Sequence, residues 1–125
     1  MKYLLDTHIL LWAAAGDLPK SAKPFFSEEN ELYFSPASIW EIVIKKALGR
    51  SDFRVEPVAL YSGLIAADYK ELRISALHTL AVGSLPEIHK DPFDRILLAQ
   101  AVSANIDLLT ADKQLAAYPY RVILI

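Results

Sequence analysis

The chain has 125 residues, 54% of them apolar, which is enough to bury the core of one domain spanning 1–125 without covalent staples. A net charge of −2 at pH 7 excludes binding to nucleic acid through bulk positive charge, and the lack of cysteine excludes a disulfide framework and a zinc–thiolate site. The composition fits a reducing cytoplasm, and a mean hydropathy of +0.26 leaves apolar surface for an oligomer interface or a partner groove.

In chain order, Lys2–Asp6 predicts a first strand and Thr7–Ala15 a helix, with Thr7 available as its N-cap and Gly16 as its stop. The run Ala13-Ala14-Ala15-Gly16 mimics a signal-peptide cleavage site, but Asp6-Thr7-His8 interrupts the apolar stretch, so the segment reads as a buried strand and helix. No apolar run reaches membrane-spanning length. Beyond a turn at Pro19, Ser21–Glu29 predicts a short helix broken or started by Pro24, and Glu31–Phe34 a second strand. Ser35-Pro36 opens a helix to Leu48, with Ser at the N-cap, Pro in the first position and Gly49 at the end. A polar connection over 51–56 leads to a helix from Pro57 to about Lys70, a strand at Leu72–Ser75 and a helix at Ala76–Val82 ended by Gly83.

Ser84–Lys90 reads as loop. Asp91-Pro92 begins a long helix to Asn105, with Asp91 at the N-cap and Asp94 in a capping-box-like position. Asp107–Thr110 predicts a fourth strand, Asp112–Tyr118 a short helix and Arg121–Ile125 the last strand. Strands alternating with helices imply an α/β fold: a mainly parallel sheet of about five strands between two helical layers.

Four carboxylates, Asp6, Glu41, Asp94 and Asp112, fall where a strand gives way to a helix or just inside that helix. Ligands of open parallel sheets bind outside the carboxyl ends of the strands. Unpaired carboxylates are costly to desolvate, and a divalent cation lets several crowd together. The pattern therefore points to metal-dependent chemistry on a phosphate ester. Asp6 ends the first strand directly, and with Thr7 placed to cap, Asp6 is available for function. Glu41 stands one i,i+4 step before Lys45, which suits an exposed ion pair. Ile39, Trp40, Ile42, Val43 and Ile44 surround it, which suits a buried helix instead.

Asp91 is the better cap of its helix, which frees Asp94 to point into the crevice. Asp112, with Thr110 beside it, reads from its own context more readily as the cap of its short helix than as a site residue. Local cations for a phosphate-bearing ligand are Lys45, Lys46, Arg50, Lys90, Arg95 and Lys113, with Arg95 able to pair with an acid or a phosphate. His8, His78 and His89 lack metal-set spacing, although His8 and His89 flank candidate acids. Trp12 and Trp40 read as core or interface aromatics.

Four segments together, Tyr-Leu-Leu-Asp6-Thr7-His8, Ser35-Pro36-Ala-Ser-Ile-Trp-Glu41-Ile, His89-Lys-Asp91-Pro-Phe-Asp94-Arg95-Ile-Leu-Leu-Ala-Gln-Ala and Leu-Leu-Thr110-Ala-Asp112, resemble the PIN-domain ribonucleases. Among these the likeness is to the VapC toxins of bacterial toxin–antitoxin pairs. The resemblance runs from first strand to last, and Asp-Pro-Phe-Asp-Arg is its most specific part. It implies a PIN-like fold and RNA cleavage with Mg²⁺ or Mn²⁺. By position, Asp6 and Asp94 correspond to direct ligands, Glu41 to a ligand or water-orienting base, and Asp112 to an auxiliary ligand. Thr7 and Thr110 match small hydroxyl positions, whereas many PIN domains carry Asn or Ser where this chain has His8. A homodimer and a cognate VapB-like antitoxin are further implications.

A catalytically silent PIN-like module that binds a protein or RNA is the alternative, and retention of all four acids argues against it. A receiver or related phosphatase domain is a poor match: Thr7 follows Asp6 where that pattern wants a second acid.

Overall fold

The computed structural model describes residues 1–49 and 55–125; Arg50 and most of the expected 51–56 connection lie outside the described residues. Five strands form one parallel sheet in the order β3-β2-β1-β4-β5: β1 (Lys2–Leu5), β2 (Glu31–Phe34), β3 (Lys70–Glu71), β4 (Asp107–Thr110) and β5 (Val122–Leu124). The central strand β1 sets Tyr3 opposite Leu32 on one side and Asp107 on the other.

Alternation along β1 divides the core. Tyr3 and Leu5 face one side, with Ile9, Leu10, Phe34, Ile42, Leu60 and Leu64, whereas Leu4 faces the other, with Leu97, Leu98, Leu108 and Leu115. The first cluster draws on α1 (Thr7–Ala15), α2 (Pro36–Ala47) and α3 (Pro57–Ala66). The second draws on α4 (Ala76–Val82), α5 (Pro92–Ala104) and α6 (Lys113–Ala116). The result is the expected three-layer α/β/α arrangement, with each face of the parallel sheet covered by helices. The chain runs from β1 outwards to β2 and β3, then returns to β4 and β5 on the opposite side. The strand order therefore reverses between β1 and β4, which opens a crevice at their carboxyl ends.

Several boundaries differ from the sequence expectation. The helix expected over Ser21–Glu29 is a single 3-10 turn, Lys23–Phe26, which carries Pro24 at its start and ends where Ser27 turns extended at φ −61° and ψ 145°. Helix α3 stops at Ala66 rather than near Lys70. Asp68 turns left-handed at φ 66° and Tyr69 N–H donates to Leu64 C=O at 3.0 Å, which closes the helix end. Strand β3 is consequently earlier and shorter than the expected Leu72–Ser75. Leu72 N–H still donates to Phe34 C=O at 2.8 Å, but the Leu72 carbonyl is taken by the buried Gln100 amide, also at 2.8 Å. Ser75 does not end a strand; it caps α4, accepting from His78 N–H while its own N–H donates to His78 Nδ1. Helix α2 is not buried all round, since Trp40 is 63% exposed and Val43 44%.

Candidate metal centre and active site

Asp6 follows β1 and is 4% exposed. It, rather than Thr7, caps α1: its Oδ1 accepts from Ile9 N–H at 3.0 Å, and its Oδ2 accepts from the Thr110 hydroxyl at the end of β4. Burial raises the Asp6 pKa, with the Thr110 and Ile9 hydrogen bonds pulling the other way. Thr110 Oγ1 in turn accepts from Asp112 N–H at 2.9 Å, so one hydroxyl joins the ends of β1 and β4.

Thr7, freed from capping, puts its hydroxyl 2.7 Å from Glu41 Oε1 and 2.9 Å from Ser38 Oγ. Its single proton goes to the carboxylate, which leaves it to accept from Ser38. Glu41 Oε2 lies 3.0 Å from Lys45 Nζ. The i,i+4 pair is thus present, but on a Glu41 only 8% exposed, where a surface pair would be well solvated. Thr7 and Lys45, one on each oxygen, fix the orientation of the Glu41 carboxylate.

At the start of α5, Asp91 Oδ1 accepts from Phe93 N–H at 2.8 Å and from Asp94 N–H at 3.3 Å. No reciprocal capping box forms, because the Asp94 side chain turns instead to His89, with Oδ2 2.7 Å from Nε2. The same nitrogen is 3.3 Å from Asp112 Oδ2, while Asp112 Oδ1 caps α6 through Gln114 N–H at 2.8 Å. Burial drives the Asp94 pKa up to about 6; the His89 contact opposes this, and the charges of Asp91 and Asp6 add to it.

All four expected acids line one cleft of about 680 Å³, together with Asp91, His8, Trp12, Lys45 and Lys113. The tightest donor group among the described residues is His89, Asp94 and Asp112, each with a ligand atom within 4.8 Å of the others. His89 was not among the expected site residues. Its signal lay in standing two residues before a helix cap, on the same short segment as Asp94. Among the described residues, Arg95 meets neither an acid nor the cleft. Its guanidinium donates to the carbonyls of Val82, Pro86 and His89 and to the Tyr118 hydroxyl, at 3.0 to 3.2 Å. Of the remaining cations, Lys46 pairs with Glu56 at 3.6 Å, and Lys90 lines a separate shallow hollow with Glu87, His89 and Arg95.

The donor set fits a divalent cation. Two half-buried carboxylates and an imidazole converge within coordination reach of one another, and a third carboxylate, Asp6, is close enough for its charge to raise the Asp94 pKa. Hard carboxylate oxygens of this kind suit Mg²⁺ or Mn²⁺.

The sequence matches the PIN-domain family model over residues 3–119. No curated protein matches the chain. Among solved structures, the fold is similar to a chain of the VapBC2 complex of Rickettsia felis bound to a DNA fragment from its promoter, with TM-score 0.74 and 17% identity over 100% of this chain and 99% of that one. A chain of the DNA-bound VapBC of Salmonella typhimurium gives TM-score 0.69 at 13% identity, over 98% and 97% of the two chains. A chain of FitAcB from Neisseria gonorrhoeae gives 0.62 at 15%, over 97% and 96%. At these identities the structures speak to the fold, while the family model spans nearly the whole sequence. The chain belongs to the PIN-domain family.

Proposed function

We propose that the chain, taken as one domain over 1–125, is a Mg²⁺- or Mn²⁺-dependent ribonuclease that cleaves RNA phosphodiester bonds. We further propose that it serves as the VapC-like toxin of a toxin–antitoxin pair, in the cytoplasm. The observation that carries this reading is the convergence of Asp6, Glu41, Asp94 and Asp112, from four separate segments, in one cleft at the switch point of the sheet. Asp6, Asp94 and Asp112 would hold the ion. A divalent ion so held supplies Lewis acidity towards a phosphate oxygen and makes water a better nucleophile near neutral pH.

The protein's own groups do the rest. Glu41, oriented by Thr7 and Lys45, is a ligand or takes a proton from the attacking water. Burial pushes the Asp94 pKa up to about 6, so above that pH its carboxylate is ionised and available to a cation. Lys113 is exposed on the cleft and is placed to meet a phosphate of a single-stranded substrate. An acidic cleft repels RNA until a cation offsets its charge, which ties substrate binding to ion binding.

A homodimer and an antitoxin partner are the remaining parts of the proposal. Exposed apolar side chains support them: Leu77 and Leu80 on α4 are 74% and 72% exposed, and Trp40 is 63% exposed. A similar solved structure, from Klebsiella pneumoniae, is a toxin–antitoxin complex, which supports the antitoxin partner. A catalytically silent binding module is the second reading. It is favoured by Lys45 and His89, which contact two of the acids, Glu41 and Asp94. Induced expression in a bacterial host separates the two: wild type should arrest growth and Asp94→Asn should not. The purified wild type should cleave RNA with Mg²⁺ and stop when EDTA is added. Equal toxicity from both proteins, or cleavage indifferent to chelation, defeats the metal-dependent reading.

A further inference from the structure

The closest group of three donors, two of them on the cleft and His89 at its border, is not all oxygen. Resting on the reading of this cleft as a metal centre, we propose that His89 Nε2 is a direct ligand of the ion held by Asp94 and Asp112, and that it biases the centre towards Mn²⁺ over Mg²⁺.

The geometry is that of a coordination site. Nε2 lies 2.7 Å from Asp94 Oδ2 and 3.3 Å from Asp112 Oδ2. Adjacent donors around a six-coordinate ion with bonds of about 2.1 Å stand about 3 Å apart. Both distances from Nε2 match that spacing, and the ligand atoms of Asp94 and Asp112 lie within 4.8 Å of each other.

The histidine is also held as ligands are held. Its backbone N–H donates to Tyr118 Oη at 3.0 Å, and its carbonyl accepts from Arg95 Nη1 at 3.2 Å. Arg95 simultaneously ties down the carbonyls of Val82 and Pro86, so the segment leading to His89 is anchored at three points. A side chain serving only as a solvated partner for Asp94 needs no such frame, whereas a ligand gains from one, because its donor atom must be in place before the ion arrives.

Donor chemistry sets the preference. Mg²⁺ binds oxygen and gives up its waters reluctantly, so an imidazole adds little to its affinity. First-row transition ions accept imidazole nitrogen readily, and Mn²⁺ is the member of that series that also favours carboxylate oxygen. A site of one imidazole and two or three carboxylates therefore suits Mn²⁺.

Pulsed electron paramagnetic resonance on the full chain loaded with Mn²⁺ tests this directly. The wild type should show coupling to a directly bonded imidazole ¹⁴N, and His89→Gln should lose it. In calorimetric titrations, His89→Gln should weaken Mn²⁺ binding at least ~10-fold, the low end for lost metal contacts, and change Mg²⁺ binding much less. A bound Mn²⁺ without nitrogen coupling in the wild type overturns the proposal, and that spectrum does not depend on the variant folding. Equal weakening of both ions overturns the selectivity, and failure to bind Mn²⁺ at all overturns both parts. A protein that binds Mn²⁺ through nitrogen but leaves RNA intact would defeat the ribonuclease reading alone. An RNA-cleaving centre coordinated only by oxygen would defeat this inference alone.

Discussion

Asp94→Asn should stabilise the protein when no metal is present, although it removes a residue of the site. The folded chain holds the Asp94 proton up to about pH 6, whereas the ordinary carboxyl releases it near 3.8. Between those values the native state binds more protons than the unfolded state, so the wild type loses stability as pH climbs through the window. The full difference of about 2 units corresponds to about 3 kcal/mol at pH 8 and well under 1 kcal/mol at pH 4. Asparagine cannot ionise, keeps a carbonyl oxygen for His89 and escapes this penalty. For a chain of this length, about 3 kcal/mol moves the melting temperature by on the order of 10 °C. Melts of both proteins in EDTA at pH 8 and pH 4 measure the gap. The variant should melt higher at pH 8, the gap should nearly close at pH 4, and added Mn²⁺ should raise the wild type but not the variant. A variant that melts lower than wild type at pH 8, or a gap independent of pH, refutes the reasoning.

Thr110→Val keeps the shape of a buried side chain but removes the donor to Asp6 and the acceptor for Asp112 N–H. It should cost about 1–3 kcal/mol in denaturant unfolding and weaken metal binding in calorimetric titration; an unchanged affinity would mean that this hydroxyl does not organise the acids. Arg95→Met removes the guanidinium that holds the carbonyls of Val82, Pro86 and His89. Hydrogen exchange should quicken over 83–90 while the sheet stays protected, and equal protection in both proteins would show that the segment holds itself.

Sequence was most informative where apolar periodicity and helix stops agree. The Leu4-Leu5 and Leu108-Leu109 runs, the Ser35-Pro36 and Asp91-Pro92 helix starts and the alternation of element types lead to the parallel sheet and its two helical layers. Adjacent residues of similar chemistry were harder to separate. Asp6 and Thr7 are both good caps, and the choice between them depends on Glu41, which is distant in sequence and offers Thr7 a better use. The end of α3 was missed because it turns on a non-glycine residue, Asp68, in left-handed backbone. Strand β3 was misplaced because apolar Leu72 keeps its N–H on Phe34 but gives its carbonyl to Gln100, which ends the pairing at Glu71. Within the site, Asp94 could be separated from Asp91 by counting helix positions. His89 could not be placed, since its role comes from Arg95 and Tyr118 fixing a loop that carries no periodic signal.

The hydroxyl of Thr110 on the carboxylate of Asp6 closes a loop of 104 residues, and Asp6 N–H to Leu109 C=O is the backbone bond beside it. Contacts so far apart in sequence are paid for in loop entropy before they return anything, and β1 cannot pair with β4 until the chain between them has been made. A growing polypeptide that has not yet released β4 carries Asp6, Glu41 and Asp94 but cannot bring them to Asp112. Whatever chemistry the cleft performs is therefore withheld from the nascent chain and begins only once the segment through Asp112 has been synthesised and folded.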